Sequence, residues 1–440
     1  MSALGLADRA GPPRAPDLAR LRPAIRGELV LPDDTGYPQA RKVWNGMVDK
    51  RPAAVIYCAG AGDVIAAVQF ARSENLLVSV RAGGHNVAGS SVCDGGLVID
   101  VSRMKHIEVD PARRIARAEA GLNLGEFDTA TQAHGLATTM GVNADTGIAG
   151  LTLGGGFGKL GRKHGLTCDN LVAADIVTAD GRLLRASATE NADLFWGIRG
   201  GGGNFGIVTT FEYKLHPVGP LLLAGSVLYR YEHARAAMEF YAAFSSKAPD
   251  ELSLDAALVT APSGERFFNV SACYVGPIAE GERVIKPLRE YGTPAEDRIA
   301  PIPYVQLQSA GDANFPRGRR YYWKAQFMRE ISDQAIDTLL AAYATAPSDR
   351  SSCCSRSAAR SAAFRLPRLL TRTGMRFTTA SRSRSGTNLR TTKFTSAGRV
   401  TCGPRCGRSR PAGSMPTTSG TRARTGFKPL TARTIRDWPR

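Results

Sequence analysis

Arg81-Ala82-Gly83-Gly84-His85-Asn86-Val87-Ala88-Gly89, Gly147-Ile148-Ala149-Gly150-Leu151-Thr152-Leu153-Gly154-Gly155-Gly156-Phe157-Gly158 and Gly200-Gly201-Gly202-Gly203-Asn204-Phe205-Gly206-Ile207-Val208 are three glycine clusters in one half of a 440-residue chain. Glycine lets a backbone pass close to a ligand and present its N–H groups with no Cβ in the way, which suits an anionic pyrophosphate. Three such clusters imply a long, phosphate-bearing cofactor. The first also carries an imidazole, that of His85.

Around these loops the apolar pattern alternates between strand and helix periods. Residues 53–58 are a compact apolar run of strand length, and 61–75 show helical spacing through Val64, Ala67, Val68 and Ala71. Residues 76–80 form a second strand running into the His85 loop, and 96–101 a third, so the glycines fall at strand ends, where ligands of α/β folds usually sit. Residues 122–134 read as a helix with Leu124, Phe127, Ala130 and Thr131 on one face, and 171–178 with the turn Asp180-Gly181-Arg182 as a strand and hairpin. Residues 204–213 are a further strand. From Leu221 longer β-type runs (221–231, 252–260, 266–275, 320–328) alternate with helical segments at 234–248 and 333–346, which marks a second domain, a sheet backed by helices. Residues 1–34 are rich in Pro, Ala and Arg and read as a loose arm ending in a short extended piece.

The order of motifs resembles that of the FAD-linked oxidases of the berberine-bridge-enzyme type, within the wider vanillyl-alcohol-oxidase, or PCMH-type, fold. The first loop is similar to the family's Arg-Gly-Gly-Gly-His. The run Gly154 to Gly158 followed by Arg162, Gly165-Leu166 and Asp169-Asn170 looks like its second signature, and so does Asp193-Leu194-Phe195-Trp196 leading into the third glycine cluster. The resemblance runs from about Pro38 to about Arg350. It implies an α+β fold with a two-part FAD-binding domain at 38–219 and a substrate domain, incomplete here, at 220–350; composition adds an arm at 1–37 and, from its Arg, Ser, Thr, Gly and Pro content without apolar periodicity, a disordered tail at 351–440. It also implies FAD contacts from Arg81, Ala82, Gly83, Gly84, His85, Asn86, Gly89 and Ser90; from Asn143, Thr146, Gly147, Gly150, Gly154, Gly155, Gly156, Gly158 and Asn170; and from Gly206, Ile207 and Val208. The family's histidine bonds covalently to the flavin 8α-methyl carbon, which puts that link on His85. Many relatives add a second link through cysteine, but Asn143 stands at that place, so a single histidyl link is expected.

The implied activity is oxidation of a small organic substrate at an alcohol, sugar or amine-type C–H, with hydride passing to flavin N5 and dioxygen reoxidising the flavin. Tyr322 and Lys324, on an alternating strand of the substrate sheet, are candidates for the base, though a half-buried strand with Tyr and Lys toward solvent explains them equally well. Gly156-Phe157-Gly158-Lys159-Leu160-Gly161 formally matches a Rossmann fingerprint. However, the first strand-to-helix turn, residues 59–62, lacks one, and no acidic residue clearly ends a second strand at the expected distance.

Composition narrows the classes further. At 43% apolar residues the chain can build two or three substantial cores. No stretch reaches a membrane span of about 20 apolar residues, and residues 1–26 lack the apolar segment of a secretory signal, so a soluble cytoplasmic protein is expected. Cys58, Cys93, Cys168 and Cys273 are scattered as buried hydrophobes would be, and Cys402 and Cys406 lack partners at metal-ligand spacing, so no metal is expected. The net charge of +18 would ordinarily suggest a nucleic-acid partner. Yet residues 351–440 hold 18 Arg and 2 Lys against one acid, while the first 350 residues are balanced to within one charge.

That tail reads better as another frame. Taking the last base of each codon with the first two of the next, residues 372–376 are compatible with His-Arg-Asp-Ala and residues 415–424 with Ala-Asn-Tyr-Leu-Gly-Asp-Glu-Gly-Glu. Met415-Pro416 forces Ala, and Asp437-Trp438 forces Leu. The second phrase looks like the C-terminal signature of the same family, in which a tyrosine often serves as catalytic base. A frameshift between about residues 349 and 354 is therefore expected. Two other outcomes go with it: a catalytically defective product, or a basic-tailed nucleic-acid-binding protein without enzymatic activity.

Overall fold

The computed structural model describes residues 17–328, 330–346, 350–356 and 376–384, the last two segments through their backbone alone. Strand Ala54–Tyr57, helix Ala61–Ser73 and strand Val78–Arg81 form a β-α-β unit whose two strands flank Leu97–Asp100 in parallel, with Val55 opposite Val98 and Val80 opposite Ile99. Val64, Ala67, Val68 and Ala71 are the buried face of the helix, three and four residues apart. Glu28–Val30 closes one edge of this four-stranded sheet antiparallel to Ala54–Tyr57. The His85 loop leaves the C-terminal end of Val78–Arg81.

A second sheet is antiparallel throughout, in the order Ile107–Asp110, Ile115–Glu119, Ile207–Lys214, Leu171–Val177, Leu183–Ser187. One face carries cross-strand ion pairs: Arg117 to Asp175 at 2.6 Å, Arg117 to Glu212 at 3.0 Å and Arg185 to Glu212 at 2.8 Å. The other face buries Ala116, Ala118, Ala174, Ile176, Phe211 and Tyr213, the period-two pattern of a half-covered sheet. The two sheets share one hydrophobic core running from Leu21 to Leu215.

The third sheet has eight strands. Its main path runs Glu296–Asp297, Leu221–Arg230, Arg266–Tyr274, Leu252–Thr260, Arg350–Arg356, Arg376–Arg384, Arg320–Met328, with Ala300–Pro303 also paired to Leu221–Arg230. Helices Ala234–Lys247, Ile278–Glu290 and Asp333–Ala344 back it over a second core that includes Val227, Leu254, Phe268, Val270, Ile285 and Ile336. A smaller cluster with Ala137, Leu160, Leu222, Cys273 and Tyr304 joins the two halves.

This is the expected α+β architecture, with two differences. The arm is not loose from residue 17 onward: Leu18–Ala24 is a 3-10 helix that buries Leu21, and Leu29 and Val30 enter the cores beside the first sheet. Few apolar residues among many Pro, Ala and Arg hide that anchoring from a periodicity argument. The substrate sheet also does not stop at Met328, because strands Arg350–Arg356 and Arg376–Arg384 continue it. The rest of the tail, for which disorder was expected, lies outside the described residues. Among the described residues, no helix is long and apolar enough to cross a membrane.

Candidate active site

The first two glycine loops meet backbone to backbone. A Cβ added to Gly83 would lie 2.3 Å from the Gly147 nitrogen, and one added to Gly147 would lie 2.5 Å from the Gly83 nitrogen, so only glycine fits on either side. The Gly147 loop is pinned from behind. Leu124 N–H donates to the Thr146 carbonyl (2.9 Å), Ile148 N–H to the Leu122 carbonyl (3.0 Å), and the helix Leu124–Gln132 that follows is closed by a capping box between Asn123 and Glu126. The short helix Ile148–Leu153 then packs against residues 202–204 of the third cluster. The three clusters that sequence spreads over more than a hundred residues therefore lie side by side.

Their open faces fit a long ligand. Gly150, Gly200 and Gly203 have nothing among the described residues within 4 Å of where a Cβ would point, and Gly84, Gly155 and Gly202 hold positive φ values of 71°, 106° and 73°. Behind the second loop, Thr138, Thr139 and Thr167 have buried hydroxyls with no hydrogen-bond partner among the described residues. Glycine backbone that a ligand can approach closely, with these hydroxyls beside it, suits a pyrophosphate and its attached sugar.

His85 stands at the junction with the third sheet. Its ring stacks on Trp44 (5.0 Å between centroids, 22°), and Trp44 stacks in turn on Tyr321 (3.8 Å, 6°). His85 Nε2 lies 2.8 Å from Asp145 Oδ1, an ion-pair approach without hydrogen-bond alignment, and Nδ1 has only a long contact, 3.5 Å, with Thr146 Oγ1. Arg317 reaches across from the substrate domain. Its Nε donates to Asp145 Oδ2 (3.0 Å) and its Nη2 to the Gly83 carbonyl (2.8 Å). Burial raises the Asp145 pKa, but His85 and Arg317 outweigh it and hold the carboxyl below its ordinary value.

Residues 44–46 clasp the substrate domain through main-chain groups. Trp44 Nε1 donates to the Phe315 carbonyl (3.0 Å), Gly46 N–H to the Arg319 carbonyl (2.8 Å) and Tyr321 N–H to Asn45 Oδ1 (2.9 Å). Tyr321 and Trp323 both meet Trp44, so strand alternation points Tyr322 to the opposite face of Arg320–Met328. The face looking toward the glycine loops is thus that of Tyr321 and Trp323. Tyr321 is buried and its hydroxyl donates to the Pro316 carbonyl (2.7 Å). The side chain of Lys324 lies outside the described residues.

Other predicted contacts are used within the protein. Arg81 is buried in an ion pair with Asp100 and also donates to the Lys42 carbonyl (3.3 Å). Asn86 Oδ1 accepts from Ser90 N–H (3.0 Å), and Asn143 Oδ1 accepts from Asp145 N–H (3.3 Å), so both shape turns. Asn170 donates to the carbonyls of His164 (2.9 Å) and Leu166 (2.8 Å) and faces His216 Nε2 at 2.7 Å. Ile207 and Val208 bury their side chains in the first core, and Gly206, at φ 145°, lets that strand start against the Val177 carbonyl. Ala82, Gly89, Gly154, Gly156 and Gly158 keep the loops close-packed, a Cβ on Gly158 meeting the Met140 carbonyl at 1.9 Å. Sequence reasoning missed Trp44, Asn45, Asp145 and Arg317 because the partners that join them across the two domains are 172 to 276 residues away.

Comparison with known proteins agrees with this geometry. The family described as FAD binding domain matches residues 52–187. An FAD-linked oxidoreductase of Dictyostelium discoideum is 36% identical over 324 residues, covering 73% of this chain and 70% of that protein. The (R)-6-hydroxynicotine oxidase of Paenarthrobacter nicotinovorans is 34% identical over 308 residues, 68% of this chain and 66% of that protein. The crystal structure of 6-hydroxy-D-nicotine oxidase from Arthrobacter nicotinovorans superposes with a TM-score of 0.74 at 27% identity, covering 82% of this chain and 81% of that one. Identity at this level over most of both chains reflects common descent: the chain belongs to the FAD-linked oxidoreductases, has their berberine-bridge-enzyme-like fold and takes FAD as its cofactor.

Proposed function

We propose that the protein oxidises a small organic substrate at an alcohol, sugar or amine-type C–H and passes the electrons to dioxygen, with FAD lying along the three glycine loops. The observation that carries this reading is the convergence of those loops on His85 at the edge of a second domain. Bound FAD supplies the hydride acceptor at ring nitrogen N5. The chain supplies the rest. Backbone N–H groups of the glycine clusters neutralise the pyrophosphate, and the loop from Gly83 to Ser90 brings His85 to the flavin end, where it makes the single covalent link; Asn143 offers no second one. Trp44, Tyr321 and Trp323 wall this end, orienting the substrate and excluding water.

The proton that accompanies hydride loss needs a base on the same side of the sheet. Tyr322 is on the other side, and Tyr321 has committed its hydroxyl to Pro316. Neither tyrosine therefore fits the role of base. The test is anaerobic mixing of flavin-loaded protein with (R)-6-hydroxynicotine, simple secondary amines, alcohols and oligosaccharides. Bleaching of the flavin spectrum by one of these classes, followed by hydrogen peroxide on admitting air, is expected. A protein that binds no FAD overturns the proposal.

A further inference from the structure

The contact between His85 and Asp145 has a consequence for how the cofactor is attached. Nε2 and Oδ1 are 2.8 Å apart. The negative charge of Asp145 at that distance favours the ring proton on Nε2, even without hydrogen-bond alignment, and leaves the lone pair on Nδ1. Among the described residues that lone pair has one contact, the Thr146 hydroxyl, and at 3.5 Å it is a long one. The ring plane is fixed by the stack on Trp44, and the carboxylate by Arg317, which also holds the Gly83 carbonyl of the same loop. An acid orienting an imidazole, itself held by a third group, is the arrangement that prepares a histidine to act as a nucleophile.

We infer that Asp145, clamped by Arg317, is the positioning residue for covalent flavin attachment: it directs the bond to His85 Nδ1 and takes up the charge that develops on the ring. The inference rests on the histidyl link proposed above. Forming the link replaces one hydrogen of the 8α-methyl group by Nδ1. A C–H bond and the Nε2–H bond break, two protons leave, and the electron pair of the C–H bond passes through the flavin to dioxygen, which becomes hydrogen peroxide. The Nε2 proton departs toward Asp145, whose carboxylate oxygen is 2.8 Å from that nitrogen. Arg317 comes from the substrate domain, so attachment requires that domain to be docked.

The test is to prepare the full chain free of flavin, add FAD and follow acid-stable flavin with time for the wild type, Asp145→Asn, Asp145→Glu and Arg317→Ala, measuring total bound FAD in parallel. Asp145→Asn is expected to bind FAD but to attach it about 100-fold more slowly, with Asp145→Glu recovering part of the rate and Arg317→Ala intermediate. Wild-type protein digested to the flavin peptide should carry the link at Nδ1 by NMR, a readout that does not depend on any variant folding. Attachment by Asp145→Asn at the wild-type rate, or a link at Nε2, overturns the inference and leaves the FAD reading intact. FAD bound without any acid-stable fraction in the wild type removes the histidyl link and this inference together, and absence of FAD binding removes the functional reading as well.

Discussion

At the scale of single residues, the glycines divide into two kinds that mutation separates. Gly83 has no room for a Cβ because Gly147 lies behind it, whereas Gly150 has open space. Gly83→Ala is expected to push the loops apart, costing about 1–3 kcal/mol as overpacked sites do, and to lower bound flavin with it. Gly150→Ala should change stability by only about 0.5 kcal/mol while still lowering bound flavin, because its open side is where the cofactor passes. Thermal unfolding and flavin content of the two variants check this, and equal flavin content in Gly150→Ala and wild type would place the cofactor elsewhere. Arg81, by contrast, belongs to the scaffold. Removing its buried partner in Asp100→Ala leaves an uncompensated guanidinium and should cost about 3–5 kcal/mol in urea unfolding. The glycines and His85 were legible in the sequence because close backbone approach leaves a local signature. Asp145 stood in plain view between Asn143 and Gly147, yet its role depends on Arg317, 172 residues on, and no local pattern connects the two.

Among the elements, the contact between helices Leu124–Gln132 and Tyr304–Ser309 makes the clearest pH prediction. Asp128 is buried, its Oδ2 accepts from Gln308 Nε2 (3.1 Å), and Asp128 Oδ1 and Gln308 Oε1 are both buried without a partner among the described residues. A proton on the carboxyl lets it donate to that second oxygen. Burial pushes Asp128 up from 3.8 to about 7, against the opposing pull of Gln308 and Lys159. Between those values the folded chain keeps a proton that the unfolded chain has released. The stabilisation is therefore complete below about pH 4 and is lost as pH rises through about 7, by an amount on the order of 4 kcal/mol. Asp128→Asn can make both bonds at any pH, so its stability should be nearly flat across this window and exceed that of wild type at pH 8. Thermal unfolding at pH 5 and pH 8 decides, and equal slopes for the two proteins would contradict the pairing. Most elements were legible in the sequence: the expected helix at 234–248 and strand at 252–260 are observed as Ala234–Lys247 and Leu252–Thr260. The helix Ile278–Glu290 was missed because Gly281 and Pro287 interrupt it, and they are tolerated because Gly281 packs against Tyr274. Which face of Arg320–Met328 meets the cofactor domain was not legible, since Tyr321, Tyr322 and Trp323 give no period-two contrast.

For the whole molecule, the composition changes character at the C-terminal segment. Strand Arg350–Arg356 lies inside the substrate sheet but contains no Val, Ile, Leu or aromatic residue, a poor composition for a strand between two others. We propose that the chain beyond about residue 350 is read in a shifted frame. Amide hydrogens of 350–356 should then exchange faster than those of Leu252–Thr260, and a gene restored near codon 350 should yield protein with more flavin and higher turnover. Equal flavin and activity in the two proteins would mean the segment is genuine. The charge balance of the first 350 residues gave the sequence its clearest hint of this boundary, whereas the docking of the two halves through residues 44–46 and 315–321 has no sequence signature. The central claim, that three glycine loops hold FAD with His85 at its flavin end, is tested most directly by the visible spectrum of purified full-length protein after FAD addition, taken before and after acid precipitation. A flavin that stays with the precipitate in wild type and leaves it in His85→Ala is the predicted result, and wild-type protein that remains colourless, or His85→Ala that keeps its flavin through acid, contradicts the account.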